Sequence, residues 1–199
     1  VTGYSSFYRL QANEQEGVDY CIQQRRGDSG LLVMAPHGGG IEPGTGDIAD
    51  AVAGRVHSFY CFRGTKPIGN RILHISSNHF DEPLAERMLR AAQWVLAVHG
   101  CREAEAAILV GGRDTDRGGK MIQALAEANI AVHRCERPRL RGLDPNNLCN
   151  RGRSGAGVQL EISLGLRRLL FADLQARATR KPTALFHRLV SVLRFSLQA

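Results

Sequence analysis

Short apolar runs alternate with amphipathic stretches along this chain, and that alternation limits the folds open to it. The clearest run is LLVMAP, Leu31 to Pro36. It is continuous, apolar and closed by Pro and Gly, as expected of a strand buried on both faces. HGGGIEPGTGD follows as a Gly/Pro-rich loop, and residues 47–53 read as a helix stopped by Gly54. Residues 57–62 and 71–75 read as strands. Residues 82–98 read as one long amphipathic helix, with Pro83 in its first turn and Asp81 as its N-cap. Strands over 106–110, 130–133 and 158–162 and helices over 120–128, 164–174 and 183–197 complete the series. Residues 1–28 are polar with scattered aromatics and suggest no strand. This alternation predicts an α/β fold with helices on both faces of a sheet. No internal repeat, low-complexity tract or linker divides the chain, so residues 1–199 are expected to form one domain.

Composition narrows the chemistry. Hydrophobic residues make up 43% of the 199 and charged residues 23%, which excludes a disordered or collagen-like chain. The formal charge is +7, which fits either a surface that is simply basic or an anionic partner, whether nucleic acid, a membrane surface or an acidic polymer. The five cysteines are odd in number and none share C-x-x-C spacing, so free thiols in a reducing compartment are expected. No apolar run approaches the ~20 residues of a membrane-spanning helix. The polar start carries no signal-peptide pattern, so the expected location is the cytoplasm, with release on cell lysis as the alternative.

The loop after LLVMAP lies where ligands bind in open α/β sheets, beyond the carboxyl end of a strand. A phosphate cradle is one reading, but neither the Walker pattern nor G-x-G-x-x-G is met. An esterase oxyanion loop is another, but its nucleophile elbow is missing: Gly152-Arg-Ser154-Gly-Ala fails at its last position. The third reading is a metal site. His37 and Glu42 bracket the glycines, and imidazole plus carboxylate with a third ligand from elsewhere is the open plan of a catalytic zinc.

Further segments occur in a telling order: APHGGGIEPGT, GN-x-x-LHISS, FDEP, VHGC, VGGRD, NLCNRG and GVQLEISLGLR, after an early YSSF and DY. From Tyr4 to about Arg168 the chain resembles the phage-type poly-γ-glutamate hydrolases and their uncharacterised bacterial relatives. The resemblance implies a three-layer, open mixed α/β sheet of the zinc carboxypeptidase type, holding one zinc ion per chain through His, Glu and His. His37 and Glu42 match the first two ligands. His99 in VHGC best matches the third, and His74 in LHISS is its rival, otherwise placed to orient a ligand or touch substrate. Glu161 in GVQLEIS matches the Glu that serves as general base in such enzymes. Its alternation with Val158, Leu160 and Ile162 turns it to the opposite face of the strand.

The implied reaction is hydrolysis of γ-glutamyl amide bonds in poly-γ-glutamate or a related acidic peptide. Zinc would activate water and polarise the carbonyl, while a base takes the water's proton and hands it to the leaving amine. A polycarboxylate calls for arginine forks, and Arg71, Arg113, Arg151 and Arg167 lie in or beside the matching motifs. Asn70 and Asn150 are candidates for neutral hydrogen bonds to substrate. Cys101 and Cys149 offer a thiol-nucleophile alternative. A non-enzymatic nucleic-acid binder is the competing class, but it rests on charge alone, and no recognition motif supports it. The final helix, with Leu185, Phe186, Leu189, Val190, Leu193 and Leu197 on one face, is expected to pack on the domain. A membrane-interface or oligomer contact is the alternative.

Overall fold

The computed structural model describes residues 3–176 and 179–198. Seven strands form one mixed sheet: β1 (Tyr20–Arg25), β2 (Leu31–Gly39), β3 (Ser58–Gly64), β4 (Trp94–Gly100), β5 (Ile108–Gly111), β6 (Val132–Arg134) and β7 (Val158–Ile162), in the order β1-β3-β2-β4-β7-β5-β6. The four central strands, β3, β2, β4 and β7, run parallel to one another. β1 is antiparallel to β3 at one edge, and β5 is antiparallel to β7 near the other.

Helices cover both faces, as the alternation predicts. α2 (Thr45–Ala53), α4 (Thr115–Glu127), α5 (Leu164–Leu170) and α6 (Ala184–Ser196) bury one face, using Val33, Val98, Leu160 and their neighbours. α1 (Phe7–Gln11) and α3 (Pro83–Ala91) cover the other, packing on Leu32, Met34, Tyr60 and Phe62. β2, β4 and β7 therefore bury side chains on both faces, each fully buried Leu, Ile or Val stabilising by about 1.5–3 kcal/mol. α6 lays Phe186, Leu189, Val190 and Leu193 into this core, so its apolar face is spent within the chain.

Several elements differ from expectation. Residues 82–98 are not one helix. α3 ends at Ala91, Ala92 turns extended, and Trp94–Gly100 forms the central strand β4. The cap is Glu82, whose carboxylate accepts from the N–H groups of Leu84 and Ala85, whereas Asp81 accepts from the Phe7 N–H. Residues 71–75 are not a strand either: a 3-10 turn spans Asn70–Leu73, and Ile75 makes a single bridge to Tyr4. β1 arises in the stretch read as polar, because an edge strand needs only one apolar face. α4 begins five residues before Lys120, capped by Asp114. β2 runs on through His37, Gly38 and Gly39, so the glycines belong to the strand end. α5 stops at Leu170. All five cysteines are free thiols, and no described helix is long and apolar enough to cross a membrane.

Candidate metal centre and active site

The centre forms at the carboxyl ends of β2, β4 and β7. His37 sits near the end of β2, and the chain then turns back sharply. Gly39 makes this possible: its φ is +66°, and a Cβ there would lie 2.3 Å from the Gly64 carbonyl oxygen. The turn closes when the Glu42 N–H donates to the His37 carbonyl at 2.8 Å. His99 and Glu161 stand opposite each other in the register of β4 and β7, so backbone pairing alone sets their separation.

Among the described residues, His37, Glu42 and His99 bring one ligand atom each within 4.8 Å of one another. His37 Nδ1 is 3.2 Å from Glu42 Oε1 and 3.2 Å from His99 Nδ1. His99 Nδ1 lies 3.8 Å from Glu42 Oε2. The other ring nitrogens are occupied elsewhere. His37 Nε2 is 2.7 Å from the Ile75 carbonyl, which can only accept, so Nε2 carries the hydrogen and Nδ1 turns its lone pair inward. His99 Nε2 faces Ser77 Oγ at 3.4 Å. The Gly100 N–H holds Glu42 Oε2 at 2.8 Å. Three converging lone-pair donors, two nitrogens and one carboxylate, suit zinc or another borderline divalent ion.

The electrostatics fit this composition. Burial acts to raise the Glu42 carboxyl, but the His37 and His99 imidazoles and the Gly100 N–H outweigh it and hold the group at about 2. Burial drives His99 down to about 3. His74 falls to about 4, first through its neighbour His37 and then through burial. It stacks on His37 with ring centroids 4.0 Å apart and contributes no atom to the trio. Glu161 is buried, with Gln159 Nε2 donating to its Oε1 at 3.1 Å. Burial and then the Glu42 carboxylate raise its carboxyl well above the usual range.

Two recesses meet at this centre and share Glu42, His74, Ser76, Gly100 and Arg102. One, of about 410 Å³, contains His37, His99, Gln159 and Glu161 and reaches Arg139. The other, of about 470 Å³, is walled by Tyr4, Ile41 and Leu164 and reaches Arg71 and Arg167. Arg167 is buried and its guanidinium is occupied: it donates to the carbonyls of Ile162, Pro43 and Cys101 at 3.1, 2.8 and 2.9 Å. It clamps the floor beneath Glu42. Gly100 must be glycine to admit it, since a Cβ there would lie 2.7 Å from Arg167 Cζ.

Asn70, Arg113, Asn150 and Arg151 lie outside these recesses. Asn150 donates to the Gly142 and Asp144 carbonyls and accepts from the Arg113 and Gly157 N–H groups, so it ties loop to sheet. Arg113 is exposed and lines neither recess. Arg151 pairs with Glu86 and donates to the Phe80 carbonyl at 2.7 Å, in a separate hollow. Asn70 is buried and donates to the Lys66 carbonyl at 2.7 Å. The thiols of Cys101 and Cys149 are pushed up to about 11 and about 12 by burial, opposite to what a nucleophilic cysteine needs. Gln159, Arg102 and Arg139 were absent from the sequence expectation. Gln159 was within reach of it, because strand alternation places it on the Glu161 face.

Likeness to known proteins agrees with the geometry. A family profile described as poly-gamma-glutamate hydrolase matches residues 4–192. The chain belongs to the poly-gamma-glutamate hydrolase family. Among its relatives is the UPF0714 protein YndL of Bacillus subtilis (strain 168), 37% identical over 179 residues, covering 88% of this chain and 70% of YndL. A bacteriophage poly-gamma-glutamate hydrolase of known structure superposes with a TM-score of 0.94 at 33% identity, covering 99% of this chain and 97% of that one. The zinc-free apo structure of YndL superposes with a TM-score of 0.91 at 35% identity, covering 98% and 96%.

Proposed function

We propose that this family member is a zinc-dependent amidohydrolase that cleaves γ-glutamyl amide bonds in poly-γ-glutamate or a related acidic peptide. The observation that carries the reading is the convergence of His37, Glu42 and His99 beside a buried carboxyl, Glu161. That a relative has a structure distinguished as zinc-free supports zinc as the ion. His37 and His99 through Nδ1, with the Glu42 carboxylate, would hold the metal. When bound, it supplies Lewis acidity and lowers the pKa of water from 15.7 to roughly 7.

The chain's own residues do the rest. Glu161 is the proton carrier. Its raised affinity for a proton suits a group that takes one from water and passes it to the leaving amine. Gln159 holds the carboxylate in one orientation. The Ile75 carbonyl fixes the His37 tautomer, and Gly100 fixes the Glu42 rotamer. Arg71, exposed and lining one recess, and His74, which lines both, would touch substrate.

Metal analysis of the purified protein tests the reading. About one zinc per chain is expected, with chelation abolishing depolymerisation of poly-γ-glutamate. Glu161→Gln should keep the metal and lose turnover. Fully loaded protein that leaves the polymer length unchanged would exclude this substrate.

A further inference from the structure

Resting on that reading, we propose that Arg102 and Arg139 determine specificity by gripping substrate carboxylates in the recess that holds the metal centre. Arg102 lines both recesses, and Arg139 lines the recess that holds Glu161. Both side chains are exposed, and neither makes a hydrogen bond or ion pair within the described structure. Other arginines are already committed: Arg137 to Glu103, Arg151 to Glu86, Arg180 to Asp47, and Arg167 to three carbonyls. The Arg137 pairing matters here, because it neutralises Glu103, an acid that lines the same recess beside Arg102.

The cleft therefore has an acidic floor, Glu42 and Glu161, and a rim of uncommitted guanidiniums. A ligand that matches it presents a neutral amide to the floor and carboxylates to the rim. A planar guanidinium takes a carboxylate through two parallel hydrogen bonds, which adds direction to charge. With Arg71 in the other recess, arginines line both recesses. A chain with one free carboxylate per unit fits this layout; a neutral amide chain of the same length does not. Both side chains are exposed and unpaired, so neutral substitutions are expected to fold.

The experiment measures binding apart from turnover. Zinc-loaded Glu161→Gln protein is titrated with a fluorescent oligo-γ-glutamate, and with the same oligomer after conversion of its free carboxylates to amides. The acidic oligomer is expected to bind and the amidated one not. Adding Arg102→Gln or Arg139→Gln should weaken binding roughly threefold to tenfold each, and high salt should narrow the difference. Arg188→Gln, on the exposed side of α6, should change nothing. Unchanged binding by both rim variants overturns the proposal, as does failure of the parent to bind the acidic oligomer. If unsubstituted protein leaves the oligomer uncut while its binding still depends on Arg102 and Arg139, the hydrolase reading fails and the rim assignment stands. If it cuts the oligomer but rim substitutions do not weaken binding, the rim assignment fails alone.

Discussion

Replacing Arg167 by methionine separates two roles that an arginine near an acidic substrate can play. The structure commits its guanidinium to the Ile162, Pro43 and Cys101 carbonyls. The Ile162 carbonyl also accepts from the Cys101 N–H at 3.1 Å, so it keeps a partner. The Pro43 and Cys101 carbonyls lose theirs. Hydrogen bonds from a charged donor contribute about 1.5–3 kcal/mol each. Removing a buried charge returns some of that, since its desolvation no longer opposes folding. The net loss is about 3 kcal/mol, and at ~2–4 °C per kcal/mol for a domain of this size the melting temperature should fall by roughly 6–12 °C. Thermal melts of the metal-free protein followed by circular dichroism measure this directly. Arg167→Lys should fall between, because an ammonium cannot fork to three carbonyls. A melting temperature within ~2 °C of the parent, with KM for the polymer raised tenfold, would refute the clamp and make Arg167 a substrate anchor.

Three further outcomes are expected. Glu161→Gln should raise the stability of the metal-free protein at neutral pH, because it removes a desolvated carboxyl beside Glu42; an unchanged or lower midpoint in urea would contradict this. His99→Ala should abolish zinc binding in equilibrium dialysis, whereas His74→Ala should retain it, since only His99 contributes to the trio. The metal-free protein should be acid-sensitive. His99 and His74 stay neutral down to about 3 and about 4, so below pH 6.5 the unfolded chain binds protons that the folded chain refuses. Stability present above pH 6.5 is lost as the pH falls, at up to ~1.4 kcal/mol per pH unit for each histidine. Glu161 acts in the opposite sense, reducing stability above the ordinary carboxylate range. A urea midpoint constant from pH 7 to 4.5 would count against these burials.

The elements that could be read in advance are those whose pattern is local. LLVMAP is a short apolar run and VQLEI an alternation of apolar and polar residues, and both are strands. Residues 82–98 misled because apolar residues keep helical spacing from Leu84 through Val98, with no Gly or Pro between α3 and β4 to mark the break. The run WVLAV, five apolar residues ending near Gly100, was the contrary signal. His37, Glu42 and His99 became legible through the family's motifs, not through spacing, because β2 and β4 meet only in the folded sheet. The arginines were the least legible. Whether Arg151 faces substrate or Glu86 depends on a partner 65 positions away, and local sequence does not report such pairings.

The pairing of His99 with Glu161 across β4 and β7 has an evolutionary consequence. Neighbouring strands keep ~4.8 Å between them whatever loops they carry. Side chains mounted on that lattice keep their spacing while the surrounding loops drift. Arg102 and Arg139 lie on such loops, between β4 and β5 and after β6. Substitutions in these loops can therefore change what lines the cleft, one residue at a time, while the spacing of His99 and Glu161 is inherited intact.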